Sequence, residues 1–187
     1  RLPEIVAKNK KNPLILLHKP KYMDENFSPK VKDVIGFSKE EALRLGHEFI
    51  GTEHLMLGML RKGEGKAIDI LNALDINLDH LRKKIERLSP SNNAFSNANE
   101  KKSLHLTRQA EKALKTTFLE AKLYKSDAVN TGHLLLCILR NENDPTTKLL
   151  QNFDANYDDV KTIFKQLFVD EVQDLPRAED PPSDEFS

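Results

Sequence analysis

The stretch that decides the fold is Gly51-Thr52-Glu53-His54-Leu55-Met56-Leu57-Gly58-Met59-Leu60-Arg61, because the chain contains it twice. Its second copy, 79 residues later, is Asn130-Thr131-Gly132-His133-Leu134-Leu135-Leu136-Cys137-Ile138-Leu139-Arg140. The two copies share the threonine, the histidine, the leucine after it and the final arginine. Self-similarity at a fixed spacing is typical of repeat architectures. We therefore interpret the chain as two copies of one structural unit.

Each copy has the pattern of a helix that begins at a polar residue. The hydroxyl groups of Thr52 and Thr131 are suited to cap the unpaired N–H groups of a first helical turn. The apolar run that follows each threonine is too dense for a surface helix. We therefore expect one buried central helix in each half.

Composition limits the classes of protein to consider. Lys plus Arg and Asp plus Glu both number 29, so the formal net charge is zero. This balance gives no support to a nucleic-acid partner or an acidic membrane surface. Charged residues make up 31% of the chain and hydrophobic ones 39%, which indicates a helix-rich, water-soluble protein. The one cysteine, Cys137, lies inside an apolar run and is interpreted as a buried hydrophobic residue. A chain without disulfides, whose longest N-terminal apolar run is Leu14 to Leu17, fits the cytoplasm.

Helical periodicity divides the chain into an all-α domain with flanking segments. Four helices are predicted over residues 27–88 and four more over 104–168, related by pseudo-twofold symmetry and joined by a polar linker at 89–103. Residues 1–26 do not join the repeat and are predicted to be a flexible extension, within which Met23 is a possible initiator. Residues 169–187 are acidic and contain prolines, which favours a linker to further sequence.

Catalytic and metal-binding motifs find little support. His47, Glu53 and His54 resemble a metal cluster in composition, but the Gly51-Thr52 break rules out a helical pair of ligands four residues apart. A structural histidine near a helix cap is preferred, and no metal site is predicted. The chain has no phosphate-binding loop of the G-x-x-x-x-G-K-[ST] kind. We therefore predict no catalytic residues and no cofactor for this chain.

Helix starts are the remaining candidate sites. Ser28 and Thr52 begin two helices of the first half, and Thr107 and Thr131 begin two of the second. If paired starts converge, their free N–H groups and aligned dipoles form an anion pocket. Glu53 could then bind a guanidinium in a forked geometry. The alternative is that all four residues are ordinary caps and that Glu53 only complements the helix dipole.

Three stretches of sequence carry a family resemblance over residues 27–168. Glu40-Glu41-Ala42-Leu43-Arg44-Leu45-Gly46-His47, followed by Ile50-Gly51-Thr52-Glu53-His54-Leu55 and Gly63-Glu64-Gly65, closely resembles the amino-terminal repeat domain of Clp-type AAA+ unfoldases, most of all the ClpC branch. The resemblance implies a module that docks substrates and adaptor proteins. It would sit on a hexameric ATP-driven ring that feeds a Clp peptidase. ATP and Mg²⁺ would bind only in ATPase modules beyond this chain, and the isolated domain is expected to be a monomer.

The resemblance also implies a ligand. ClpC-like members bind phosphorylated arginine, a degradation mark, through the glutamate of the Gly-Thr-Glu-His motif and a hydroxyl near the first helix start. Here those groups correspond to Glu53 and Ser28, with Thr52 beside them. In the second half Gly132 replaces the glutamate, so a site at Thr107 and Thr131 is expected to be weak or lost. A freestanding Clp-repeat adaptor without an ATPase is the alternative, and Walker motifs downstream would separate the two.

Overall fold

The computed structural model describes residues 26–89 and 104–169, and these form eight helices and two short strands. The predicted extension, linker and acidic tail fall outside the described residues, apart from Asn26, Ser89 and Val169. The elements in chain order are α1 Pro29–Arg44, β1 Phe49–Ile50, α2 Thr52–Lys62, α3 Lys66–Ala73, α4 Leu78–Glu86, β2 His105–Leu106, α5 Arg108–Leu123, α6 Thr131–Leu139, α7 Pro145–Gln151 and α8 Tyr157–Phe168.

The predicted fold class, two four-helix repeats, is confirmed. Helices α1–α4 and α5–α8 follow the same order, and α2 and α6 are the central helices of the two halves. Every residue of α6 is buried, and the core of α2 at Leu55, Met56 and Leu57 has no exposed surface. Side chains of both repeats join in a single hydrophobic core. A half on its own would bury too little apolar surface for independent stability, so the shared core is expected to unite them.

Helices α1 and α2 form a closely packed antiparallel pair. At one end, Lys62 Nζ lies 2.9 Å from Asp33 Oδ2, and at the other His47 contacts His54. Between these ends the two backbones approach at Gly58, where an added Cβ would lie 2.5 Å from the carbonyl oxygen of Val34. Gly58 therefore sets the distance between the helices.

Short parallel strands connect the two repeats. β1 pairs with β2, with Phe49 opposite His105 and Ile50 opposite Leu106. A single bridge between Phe27 and Val129 makes the equivalent connection on the other side of the pseudo-twofold axis. The connection between α1 and α2 therefore contains a strand, which periodicity could not reveal because it is two residues long. Each pairing places a helix start of one repeat beside a helix start of the other.

The caps of the central helices differ from the prediction. Thr52 and Thr131 are the first helical residues, and the N-caps are Gly51 and Asn130. The His54 Nδ1 atom accepts a hydrogen bond from the Gly51 N–H at 2.9 Å, and the His133 Nδ1 atom accepts one from the Asn130 N–H at 3.0 Å. The predicted structural role for a histidine at the cap is thus seen in both halves.

Both cap histidines are buried, and this gives a pH dependence. Burial, with His47 nearby, lowers the pKa of His54 from 6.5 to about 4, and burial, with Lys66 nearby, does the same to the pKa of His133. In the unfolded chain each imidazole is protonated near its ordinary pKa, so between pH 6.5 and 4 the unfolded state binds more protons. Stability therefore falls as the pH falls through this window.

We expect the free energy of unfolding to decrease by about 3 kcal/mol for each histidine between pH 7 and pH 4. Urea unfolding at a series of pH values measures it. Asparagine can place an oxygen near the position of Nδ1, so the double variant His54→Asn, His133→Asn should show a shallower dependence. If the free energy of unfolding of that variant depended on pH just as steeply, titratable groups other than these two histidines would be the cause.

Within the described residues no helix has the length and apolar character needed to cross a membrane.

Candidate functional site at the paired helix starts

The start of α2 and the start of α5 share a cavity of about 210 Å³. The strand pairing creates it, because the Thr107 N–H donates to the Ile50 carbonyl oxygen at 2.8 Å and so holds α5 next to α2. The third wall is the start of α7. The lining residues are Thr52, Glu53, Leu88, Ser89, Thr107, Gln109, Asp144, Pro145 and Thr146.

Glu53 places its carboxylate at this cavity. The side chain folds back over the N-cap, so that a Cβ added to Gly51 would lie 2.1 Å from Glu53 Oε2. Ser89 donates a hydrogen bond from Oγ to Glu53 Oε1 at 3.3 Å. The Glu53 side chain keeps 21% of its surface exposed. The carboxylate can occupy this position because Gly51 has no side chain, and it remains accessible to a cation.

Thr107 faces the same cavity from α5. As the N-cap it accepts the Ala110 N–H at 3.2 Å through Oγ1, and that bond leaves its own hydroxyl proton available to a ligand. The first N–H groups of a 16-residue helix lie beside it, with the positive end of the helix dipole. This side of the cavity is suited to an anion, whereas the Glu53 side is suited to a cation.

Thr52 and Thr131 serve the packing of the two repeats. Thr52 is buried, and its hydroxyl donates to Asp144 Oδ2 at 2.8 Å with Thr146 Oγ1 2.9 Å away. Thr131 is also buried, and its Oγ1 accepts the Ala67 N–H at 3.1 Å. Each threonine therefore joins its central helix to a short helix of the other repeat. Their side chains are occupied by these contacts.

Ser28 does not share a cavity with Glu53, so the predicted pairing of these two residues is wrong. Ser28 begins α1, a helix about 24 Å long, and Glu53 lies beyond the other end of that helix. The Ser28 N–H donates to the Val129 carbonyl oxygen at 2.8 Å, and its Oγ accepts the Val31 N–H at 3.3 Å. Ser28 thus belongs with the start of α6. Paired starts do converge, but each pair takes one helix from each repeat.

The counterpart position at the start of α6 is filled. A Cβ added to Gly132 would lie 2.7 Å from Phe164 Cε2 and 3.1 Å from Asn130 Oδ1. The Phe164 ring therefore occupies the space that the first atom of a side chain at position 132 would need. This supports the expectation that a second site is weak or lost, and it adds a physical reason for it.

His47, Glu53 and His54 do come together, although the sequence suggested that the helix break separates them. Their possible ligand atoms lie within 4.8 Å of one another. Because His54 Nδ1 accepts the Gly51 N–H, its Nε2 carries the proton and donates to His47 Nδ1 at 2.6 Å. His47 Nε2 then donates to the Ser89 carbonyl oxygen at 3.1 Å. All four ring nitrogens have a hydrogen-bond role, so a metal ion would have to break this chain.

The position of Glu53 can be tested through Gly51. Gly51 has φ −97° and ψ 179°, a conformation open to any residue, so Gly51→Ala should leave the free energy of unfolding within about 1 kcal/mol. The new methyl group would nevertheless displace the Glu53 carboxylate. We expect a cationic ligand of the cavity to bind about tenfold more weakly, as measured by calorimetry. Unchanged affinity would show that the folded-back carboxylate is not the binding conformation.

Comparison with known proteins identifies the family. The sequence model of one protein family, the Clp repeat (R) N-terminal domain, matches residues 26–153. The chain belongs to this family. It is 35% identical over 149 residues to a probable ATP-dependent Clp protease ATP-binding subunit of Chlamydia pneumoniae, covering 78% of this chain and 17% of the relative. It is 32% identical over 141 residues to ClpC/MecB of Bacillus subtilis, a negative regulator of genetic competence, covering 75% of this chain and 17% of the relative.

Solved structures of Clp N-domains share the fold. The N-terminal domain of the chaperone ClpD from Arabidopsis thaliana aligns with a TM-score of 0.59 at 16% identity, over 76% of this chain and 94% of that one. A ClpV N-domain in complex with a VipB peptide aligns with a TM-score of 0.62 at 14% identity, over 77% and 88%. The predicted resemblance to Clp N-domains is confirmed. The present Clp repeat domain spans less than a fifth of the two curated relatives described above.

Proposed function

We propose that this Clp repeat domain docks substrates and adaptor proteins for an ATP-dependent Clp unfoldase. Membership of the family supports this, as do the names of its relatives, which include an ATP-binding subunit of a Clp protease and a Clp chaperone. A structural neighbour has been solved with a peptide of another protein bound to its N-domain. The domain itself is proposed to be non-catalytic, monomeric and cytoplasmic, with a hexameric parent that delivers substrates to a Clp peptidase.

The cavity between α2 and α5 is proposed to bind phosphoarginine side chains of marked proteins. The observation that carries the proposal is the presence of Glu53 from one repeat and Thr107 from the other in the lining of one small cavity. A phosphoguanidinium group joins a cationic plane directly to an anion. A site that binds this group must therefore offer a carboxylate close to N–H and O–H groups that bind the anion. Unmodified arginine would use only the first half of this site, and phosphoserine only the second.

Titration calorimetry with three peptides of one sequence tests the proposal. The peptides carry phosphoarginine, arginine or phosphoserine at the central position. We expect the phosphoarginine peptide to bind at least about tenfold more tightly than either of the others, because only it uses both sides of the cavity. Equal binding of all three would contradict the proposal.

Thr107 allows a second test on the anion side. Thr107→Ser keeps the hydroxyl group and the cap, whereas Thr107→Val keeps the shape and removes the hydroxyl. Loss of affinity for phosphoarginine with valine, but not with serine, is expected, and the stability of both variants should be measured because the valine also removes the cap. Equal affinities for serine and valine would remove Thr107 from the proposed site.

A further inference from the structure

A chain of hydrogen bonds leads from the cap of α2 to the Glu53 carboxylate. The His54 Nε2 atom donates to His47 Nδ1 at 2.6 Å, and His47 Nε2 donates to the carbonyl oxygen of Ser89 at 3.1 Å. The Ser89 hydroxyl in turn donates to Glu53 Oε1 at 3.3 Å. Because His54 directly follows Glu53 in the sequence, these contacts form a closed ring, in which His47 connects the cap to Ser89.

Ser89 depends on this contact for its position. Helix α4 ends at Glu86, and Ser89 lies three residues further on, in the lining of the small cavity between α2 and α5. Among the described residues, Ser89 takes part in no backbone–backbone hydrogen bond. The His47 ring reaches its carbonyl oxygen from the connection between α1 and β1, 42 residues earlier in the chain. His47 therefore ties the end of the first repeat to the cavity wall.

The second repeat forms the same fold without this chain of hydrogen bonds. Ser126 stands 79 residues after His47, at the equivalent position, and its hydroxyl donates to the Ala128 carbonyl oxygen at 2.8 Å. His133 Nε2, the counterpart of His54 Nε2, is buried and has no hydrogen-bond partner in the described part of the chain. An unpaired buried donor costs stability, and the second repeat tolerates it. The repeat fold therefore does not require a histidine at the position of His47.

The histidine and the carboxylate occur in the same repeat. The first repeat has both His47 and Glu53, whereas the second has Ser126 and Gly132 in their places. A histidine that served only the cap of the central helix would be equally useful in both halves, because both caps use the same hydrogen bond from the backbone to an imidazole. The difference between the halves indicates that His47 serves the carboxylate.

We propose that His47 is a positioning residue of the cavity between α2 and α5, an inference that rests on the function proposed for that cavity. His47 is not among the residues that line the cavity, so it acts through Ser89. It holds Ser89 at the wall, where the hydroxyl of Ser89 keeps the Glu53 carboxylate in one orientation. A carboxylate that is already ordered loses less conformational entropy when it binds the guanidinium part of phosphoarginine, and this raises the affinity.

Two substitutions of His47 separate the two hydrogen bonds of its ring. His47→Asn can place an oxygen near Nδ1, so it still accepts the His54 N–H but does not reach Ser89. His47→Gln is longer and can place its amide nitrogen near Nε2, so it still donates to the Ser89 carbonyl oxygen. Titration calorimetry of the whole chain with the phosphoarginine peptide should show about fivefold weaker binding for asparagine and less than about a twofold change for glutamine. Equal affinities of the two variants, or the reverse order, would overturn the proposal.

Ser89→Ala tests the route from His47 to the carboxylate. It removes the hydroxyl that His47 holds in place, so adding His47→Asn to it should cause no further loss of affinity. A further loss of about fivefold in the double variant would overturn the route through Ser89. Ser126→Ala is the matched control at the equivalent position of the second repeat, and its affinity should stay within about twofold of the native value. A fivefold loss in this control would also count against the proposal, because Ser126 is remote from the contacts of Glu53 described above.

A measurement without ligand separates the failure of this inference from the failure of the proposed function. In carbon NMR spectra of the ligand-free chain, the signal of the Glu53 carboxyl carbon should move in His47→Asn and in Ser89→Ala, and should stay close to its native position in His47→Gln. If this pattern is seen but the native chain binds phosphoarginine and arginine peptides equally, the proposed function fails and the positioning role of His47 stands. An unchanged Glu53 signal in His47→Asn would overturn the positioning role, whichever peptide binds.

Discussion

Replacing Glu53 by glutamine is expected to weaken the binding of a phosphoarginine peptide by about 30-fold, since a hydrogen bond to a charged group contributes about 2 kcal/mol. Glutamine keeps the size of the side chain and its place over Gly51, so the cavity should keep its shape. The carboxylate of Glu53 forms no described ion pair with lysine or arginine, and its loss should therefore cost little stability. Titration calorimetry measures the affinity and chemical unfolding measures the stability.

Glu48→Gln is the matched control for this variant. It removes the same charge from an exposed residue five positions earlier, so it reproduces the change in long-range electrostatics without touching the cavity. Its affinity for the peptide should stay within about twofold of the native value, because exposed charges are screened by salt. A similar loss of affinity in both variants would show that net charge, and not the cavity, determines binding.

Gly58→Ala is expected to destabilise the fold by about 3 kcal/mol, the largest effect of any single methyl group proposed for this chain. The new Cβ would lie 2.5 Å from the Val34 carbonyl oxygen and 3.1 Å from the Ser38 nitrogen. Both are backbone atoms of α1, so no side chain can move aside and the two helices must separate. Urea unfolding monitored by circular dichroism measures the change.

Gly36→Ala supplies the contrast, because it makes the same substitution on the partner helix. A Cβ at Gly36 meets nothing within 4 Å, and the residue lies inside α1. Alanine should therefore raise stability by about 0.5–1 kcal/mol through its higher helix propensity. Equal destabilisation by both alanines would mean that Gly58 does not set the spacing of α1 and α2.

The repeat made the helices predictable. Thr52 and His54 recur at a fixed spacing with dense apolar residues after them, so the buried central helix and its histidine cap could be located without coordinates. Helix propensity and periodicity are local, however, and they place the cap at Thr52, one residue after the true N-cap. Gly51 caps α2 with its backbone alone, and a residue without a side chain gives no capping signal.

The composition of the site could be predicted only in part. Glu53 and Thr107 are both candidates in the sequence, but no residue pattern joins them across the two repeats. That pairing depends on β1 and β2, which are two residues long and too short for a periodic pattern. Ser89, which contacts Glu53 from the end of the first repeat, was assigned to the linker. No sequence pattern indicates that Phe164 fills the space beside Gly132, because that contact joins residues in different helices.

The pairing of a strand from one repeat with a strand from the other has an evolutionary consequence. Since each pair of helix starts takes one helix from each copy, an ancestor with a single copy could have formed such a pair only as a dimer, and would then have formed two identical ones. Duplication within one gene freed the four walls to diverge separately. A substitution such as glycine at position 132 can then disable one cavity while the other keeps both of its walls, so this architecture can change its number of binding sites without changing its fold.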